Sequence, residues 1–240
     1  MTLSSLLERL EAPEKLLVWA SSTDQEGAWS ACVRGDWMVW VAACSRVPVR
    51  PLLQAACDCV LEAVLAMSAG TEPLTRAVEL ARLAGPAKEC RAAAKRCDQA
   101  AAAIPANYRS AVAPGYRAAA RAAAWVARAS DGLSTAEVRA ETRAWEKAHQ
   151  YSIGMNIIAH ATLSKHPRAM RVDGSAAPDD PAQEQIAYAV AAAAQALAQA
   201  AIALAPRKED RGQRREVRAR FAQTLRLQLD TQRPRQKRSP

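Results

Sequence analysis

The chain has 240 residues and a formal net charge of +9; half of its residues are hydrophobic, and 57 are alanine. This hydrophobic content excludes global disorder, and the length is sufficient for a large domain with its own core. Alanine is the best helix former, whereas one phenylalanine and four tyrosines are too few for an aromatic-rich β-sandwich. The composition predicts an all-α fold, either an alanine-rich multi-helix bundle or an irregular helical array.

The positive charge is concentrated at the C-terminal end. Residues 207–240 hold 12 Lys or Arg and 4 Asp or Glu, a net charge of +8. Residues 1–206 hold 21 basic and 20 acidic side chains, so this part is almost neutral. We therefore predict a helical domain over residues 1–206, followed by a basic amphipathic helix and flexible tail over residues 207–240.

Four of the six tryptophans lie in the first forty residues. Trp37 and Trp40 are three residues apart, so they cover adjacent patches of one predicted helix. Large aromatic side chains at this spacing usually fill a core. The alternative is an aromatic patch that binds a partner, and Trp37 and Trp40 are its candidate residues.

The spacing of Cys44 and Arg50 is that of a phosphatase loop, in which an arginine and backbone amides hold a phosphate beside a thiolate. No histidine precedes Cys44 and no glycine opens the segment, so we interpret the spacing as chance. The N-terminal residues also lack the basic region of a signal peptide. We therefore expect reduced thiols and a cytoplasmic location.

Four of the other five cysteines form two pairs that could be considered as metal ligands. Cys57 and Cys59 are two residues apart on a predicted helix and point to different faces, which suits chelation poorly. Cys90 and Cys97 share a face, but that face is an apolar stripe. Free cysteine commonly behaves as a small buried hydrophobe, so we expect no metal and no cofactor.

Helix ends are marked by glycine and proline in the middle of the chain. Gly70 and Gly85 stand where helices are expected to stop, and Thr71-Glu72-Pro73 is typical of a helix start. Pro105 and Pro114-Gly115 are expected to interrupt the chain before a long helix over residues 116–129.

A polar stripe follows on an otherwise apolar segment, Tyr151 to Leu163. His149, Asn156 and His160 are 7 and 4 residues apart and share one helical face. Such a stripe is more often a hydrogen-bonded seam between helices, but it could line an active site. An enzyme that uses this face is one alternative function.

Residues 186–205 carry no formal charge over twenty positions, the length that spans a bilayer. Most of these residues are alanine, Gln195 and Gln199 lie near the centre, and few side chains are strongly hydrophobic, which argues against insertion into a membrane. We predict a helix packed inside the bundle and no membrane span.

The C-terminal segment has the pattern of a basic amphipathic helix. Val217, Phe221 and Leu225 repeat every four residues. The candidate partner-binding residues around them are Arg211, Arg214, Arg215, Arg218 and Arg220. A surface of this kind could bind nucleic acid, an acidic protein or an anionic membrane, or it could simply be a solvated terminus.

The segment Ala31-Cys32-Val33-Arg34-Gly35-Asp36-Trp37-Met38-Val39-Trp40 resembles a recurring segment in the immunity proteins of bacterial polymorphic toxin systems. In that group a Gly-Asp-Trp-rich helix is followed by an alanine and cysteine helix similar to residues 55–60. The Glu72-Pro73 pair and the alanine-rich run over 116–125 extend the resemblance to roughly residues 25–130.

This resemblance implies an all-helical, cytoplasmic protein that neutralises a toxin by binding it, and it carries no catalytic residues. We expect a non-enzymatic interaction protein whose partner is a protein, such as the toxin that an immunity protein binds. The alternative is an adaptor that binds nucleic acid or an acidic partner through the basic segment 207–240. The sequence does not determine the oligomeric state.

Overall fold

The computed structural model describes Leu3, Leu7 and residues 14–45, 47–67, 70–104, 112–132, 181–207 and 209–232. Helix accounts for 84% of this part of the chain, and it contains no strand. The all-α prediction is confirmed. Among the same residues no helix is both long enough and apolar enough to cross a membrane.

Nine α-helices make up the described ranges. They are α1 (Glu14–Ala20), α2 (Gln25–Ala31), α3 (Gly35–Cys44), α4 (Val49–Leu65), α5 (Glu72–Arg82), α6 (Ala87–Ala102), α7 (Val112–Gly132), α8 (Pro181–Leu204) and α9 (Arg211–Leu229). A short 3-10 helix, Asp230–Gln232, follows α9 directly. The apolar segment predicted over residues 151–163 lies outside the described residues.

Helix α5 begins and ends with the local chemistry that its sequence indicates. Pro73 lies in the first turn, where its missing N–H leaves no hydrogen bond unmade. At the other end the Gly85 N–H donates to the Leu80 carbonyl at 2.8 Å, and the Ala84 N–H donates to the Ala81 carbonyl at 3.3 Å. These two bonds form a Schellman motif. Its left-handed residue is Ala84, with φ 55°, and not the expected Gly85.

Helix α7 begins earlier than predicted. It starts at Val112 and runs through Pro114 and Gly115, which we expected to precede it. A proline in the first turn of a helix is tolerated because the N–H it lacks would have no partner there.

The centre of the molecule is the contact between α7 and α8, which are joined by small side chains. Gly115, at the start of α7, lies so close to the end of α8 that an added Cβ would be 3.0 Å from the Ala203 carbonyl oxygen. The two helices are therefore antiparallel. Their buried positions are mostly alanine, which allows the backbones to approach closely. Helices α4, α5 and α6 pack around α7, while α3 and α4 contact α8.

Helix α9 packs across α3 and α4 and adds its apolar face to the same hydrophobic core. Val217, Phe221, Leu225 and Leu229 are all buried, as their four-residue spacing predicts. Burial of one such side chain contributes roughly 1.5–3 kcal/mol before the loss of chain entropy is subtracted. The predicted boundary between 206 and 207 thus marks a change in charge, while both sides share one core.

Candidate functional site

The structure separates the two tryptophans of the predicted aromatic patch. Trp40 is buried in the hydrophobic core and is 4% exposed, whereas Trp37 is only partly buried. The Trp37 ring contacts Trp19 of α1, with ring centroids 5.6 Å apart and planes tilted by 45°. Trp37 therefore keeps part of its surface available to a partner, and Trp40 does not.

Arg34 packs against the Trp37 ring. Its guanidinium lies 4.1 Å from the centre of the Trp37 ring, a cation–π contact. The same group binds Asp36 through two bonds, Nε to Oδ1 at 3.2 Å and Nη2 to Oδ2 at 2.6 Å. Because Arg34 lies just before α3 and Asp36 lies in its first turn, all three side chains are fixed at the start of that helix.

Helix α9 packs against the start of α3. An added Cβ on Gly35 would lie 2.7 Å from the Phe221 Cβ, so the backbones of α3 and α9 lie very close together there. One turn further on, Arg226 donates from Nε to the Trp29 carbonyl at 2.9 Å and from Nη2 to the Cys32 carbonyl at 2.8 Å. These carbonyls lie at the end of α2, where they have no partner within the helix.

Arg218 is the unusual member of this cluster. Its Nε is buried without a hydrogen-bond partner, and the described part of the chain gives its guanidinium no ion pair. Burial lowers the pKa of Arg218; nearby Asp36 raises this pKa, whereas Arg34 and Arg214 lower it further. Arginine nevertheless remains charged in proteins, so the site holds a cation whose burial is incompletely compensated. An unsatisfied buried donor costs roughly 1–3 kcal/mol.

We define the Trp37 patch as Trp19, Arg34, Asp36, Trp37 and Arg218. A similar tryptophan–arginine contact on α7 provides a comparison: Arg128 lies 5.1 Å from the Trp125 ring and forms an ion pair with Asp98. There one cation meets one carboxylate. In the Trp37 patch one carboxylate, Asp36, pairs with Arg34 and leaves Arg218 without an ion pair, and Arg214 is near enough to add to the positive potential.

The other candidate arginines of α9 are divided between structural contacts and the surface. Arg214 donates to the Ala205 carbonyl at the end of α8, at 3.0 Å from Nε, and also to the Arg207 carbonyl. Arg220 forms an ion pair with Glu62 of α4. Arg211 and Arg215 are exposed.

The predicted polar face formed by His149, Asn156 and His160 lies outside the described residues. Its possible catalytic role therefore stays a prediction. In the part of the chain with described coordinates, no three His, Cys, Asp or Glu side chains come together as a metal site would require.

All six cysteines are unbridged and buried. Burial raises the pKa of Cys32 to about 11 and that of Cys44 to about 12. Catalytic cysteines need the opposite shift, since the thiolate is the nucleophile. Arg50 donates from Nη2 to the Arg82 carbonyl at 2.7 Å, across to the end of α5. These contacts agree with the interpretation that the Cys44 and Arg50 spacing is chance.

Trp37 was a candidate residue of the sequence analysis, and Arg34 could have been recognised beside it. Arg34 and Trp37 are three residues apart across a helix start, a spacing that brings side chains together. Arg218 was a candidate residue of the basic segment, but its position near Arg34 and Asp36 depends on helix packing, as does the contact of Trp19 with Trp37, so neither could be found from sequence spacing.

Comparisons with models of protein families, with curated protein sequences and with solved structures gave no match to this chain.

Proposed function

We propose that this chain is a non-enzymatic binding protein that neutralises a toxin by covering part of its surface. The observation that carries the proposal is the position of Trp37 and Arg34. Both belong to the segment 31–40 that resembles the immunity proteins, and both are held at the surface while Trp40 is buried. Tryptophan and arginine are the residues that most often dominate protein–protein binding energy.

The mechanism follows from the rigidity of this end of the bundle. The side chains are already ordered by the Arg34–Asp36 bonds and by the contact with Trp19, so little conformational entropy is lost on binding. A preformed helical surface of this kind would block access to the active site of a toxin. We propose that the protein acts in the cytoplasm, the location that the resemblance to immunity proteins implies.

The test is protection of growing cells from the product of the neighbouring gene. We expect co-expression of the wild-type chain to restore growth, and Trp37→Ala to abolish this protection at an equal level of folded protein. Trp125→Ala is the matched control because Trp125 is also partly buried beside an arginine. Arg34→Gln removes the same contact with a smaller change in packing. Equal protection by the wild type, Trp37→Ala and Arg34→Gln would contradict the proposal, as would an absence of any toxic product.

Removal of the whole basic segment cannot test the adaptor alternative. A chain shortened at residue 206 would lose Phe221 and Leu225 and expose the core surfaces of α3 and α4. Loss of binding would then report unfolding. Removal of residues 233–240, combined with Arg211→Gln and Arg215→Gln, changes the charge while leaving the buried face of α9 intact. If that variant loses protection while Trp37→Ala still protects growing cells, the adaptor is favoured.

A further inference from the structure

We infer that the Trp37 patch binds an acidic segment of a protein partner, in which an Asp or Glu side chain stands beside an apolar one. This inference rests on the proposed function and names the chemistry of its partner. The carboxylate would meet Arg34 and Arg218, and the apolar side chain would cover the tryptophans.

The charges of the patch are unbalanced in favour of an anion. Asp36 already accepts both bonds that Arg34 directs toward it, and Arg218 has no ion pair in the described part of the chain. Arg214 lies close enough to repel Arg218. The Trp125 site lacks this excess because Arg128 and Asp98 neutralise each other. An additional carboxylate is therefore favoured at the Trp37 patch and not at the Trp125 site.

The surroundings of the patch favour a protein over a nucleic acid. The most exposed large aliphatic side chains among the described residues include Val18 (68%), Val33 (60%) and Leu227 (71%). In the sequence they are the neighbours of Trp19, Arg34 and Arg226. Trp19 and Arg34 belong to the patch, and Arg226 bonds α9 to the Cys32 carbonyl just before Val33. Exposed apolar side chains beside arginine and tryptophan are typical of protein interfaces. Residues 1–206 are almost neutral, whereas binding to a nucleic acid backbone draws its affinity from many cations that neutralise phosphates.

The geometry is also preorganised for one binding mode. Arg34 cannot swing away without losing both bonds to Asp36 and its contact with Trp37. Arg226 ties α9 to the end of α2, which fixes the segment on which Val33 lies. A guanidinium held in this way recognises a carboxylate by direction as well as by charge.

The experiment is site-specific photocrosslinking in the cell that naturally expresses the protein. The photoreactive amino acid p-benzoylphenylalanine replaces Val18 or Val33 in the full chain, and Leu83 in a control chain, since Leu83 is 80% exposed at the end of α5. Mass spectrometry of the adduct identifies the crosslinked peptide. We expect one acid-rich peptide of another protein from both positions and none from Leu83.

A second pair of variants tests the role of charge. Arg34→Gln with Arg218→Gln should reduce capture by about tenfold or more, as expected when both cations of a hot spot are removed. Arg121→Gln with Arg128→Gln removes the same charge from α7 and should leave capture unchanged. Thermal unfolding of both double variants establishes that each is folded. Capture that is equal in the two variants overturns the inference.

The other outcomes are equally decisive. Capture of nucleic acid, of lipid, of a second copy of this chain, or of a neutral or basic peptide overturns the inference, and so does no adduct above the Leu83 level. Failure of the proposed function has a different signature. If the acid-rich peptide belongs to a protein that is harmless when expressed alone, the patch stands and toxin neutralisation fails. If the chain protects cells from a toxin that crosslinks only away from the patch, toxin neutralisation stands and the inference about the patch fails.

Discussion

Ala84 is the one non-glycine residue in the described ranges with a positive φ, 55°. It closes α5 in the Schellman motif, where glycine is usual because a Cβ is disfavoured in the left-handed region. The Gly85 N–H still completes the hydrogen bond to Leu80, so the motif forms despite the strain.

Replacing Ala84 with glycine should therefore stabilise the protein. The left-handed conformation costs a non-glycine residue roughly 1–2 kcal/mol, whereas glycine loses about 0.4–1 kcal/mol more chain entropy on folding. We expect Ala84→Gly to raise the free energy of unfolding by about 0.5–1 kcal/mol, measured by urea denaturation. Ala66→Gly is the control, because Ala66 ends α4 with φ −71°, and that variant should be less stable. A decrease for Ala84→Gly would contradict this account of the turn.

The buried thiols predict how stability depends on pH. Burial raises the pKa of Cys44, Cys59 and Cys97 to about 12, above the ordinary thiol value of about 8.5. Unfolded chains therefore release these protons first as the pH rises. The stabilisation from the neutral buried thiols is complete below about pH 8 and is lost progressively toward pH 12.

We expect the free energy of unfolding to fall between pH 8.5 and 10, with each of these thiols contributing up to about 1.4 kcal/mol per pH unit. Cys44→Ala should show a smaller slope, since Cys44 is fully buried and burial is the whole cause of its shift. An unchanged slope in Cys44→Ala would show that other groups control the alkaline limit.

At the scale of elements, the contact between α3 and α9 depends on a missing side chain. Gly35 faces Phe221 where α3 and α9 are in close contact. Any Cβ at residue 35 would lie 2.7 Å from the Phe221 Cβ. Since that atom is attached directly to the α9 backbone, rotation of the Phe221 side chain cannot relieve the overlap. The helices themselves would have to separate.

Gly35→Ala should destabilise the protein by roughly 1–3 kcal/mol, the usual range for overpacking, despite the better helix propensity of alanine. Gly212→Ala is the matched control. Gly212 also lies in the first turn of a helix, α9, but nothing lies within 4 Å of an added Cβ. We expect that variant to be neutral or slightly more stable in thermal unfolding. A stabilising Gly35→Ala would disprove the close approach of α9 to α3.

Sequence periodicity predicted the buried face of α9 but not the contacts of its arginines. The four-residue spacing identified its buried face, Val217, Phe221 and Leu225, because that pattern depends on the helix alone. The same pattern could not show that Arg214 bonds to the end of α8 or that Arg220 pairs with Glu62. Those roles depend on which helices become neighbours, and a surplus of arginine in the sequence does not distinguish them from free surface charge.

At the scale of the whole molecule, the core is built from small side chains on closely packed helices. Ala123 of α7 and Ala193 of α8 are completely buried, as are most of the alanines around them. Such a core gains its contacts from many close backbone approaches, and it has little free volume in which a larger side chain could fit.

Ala193→Leu should therefore cost at least about 1–3 kcal/mol, although leucine is both more hydrophobic and a good helix former. Ala102→Leu is the control, because Ala102 is an exposed residue near the end of α6. That substitution should change stability by less than about 0.5 kcal/mol. Equal denaturation midpoints for the two variants would mean that the α8 core is loosely packed.

The sequence by itself determined the helical fold class, the start of a helix at Glu72-Pro73, and the concentration of charge after residue 206. These properties follow from local propensity and composition, so they need no knowledge of neighbours. Only the tertiary structure decided that α9 belongs to the core and that Trp40 is buried while Trp37 is only partly buried. The two tryptophans point only about 60° apart on α3, and the helices that pack beside it determine which ring stays at the surface.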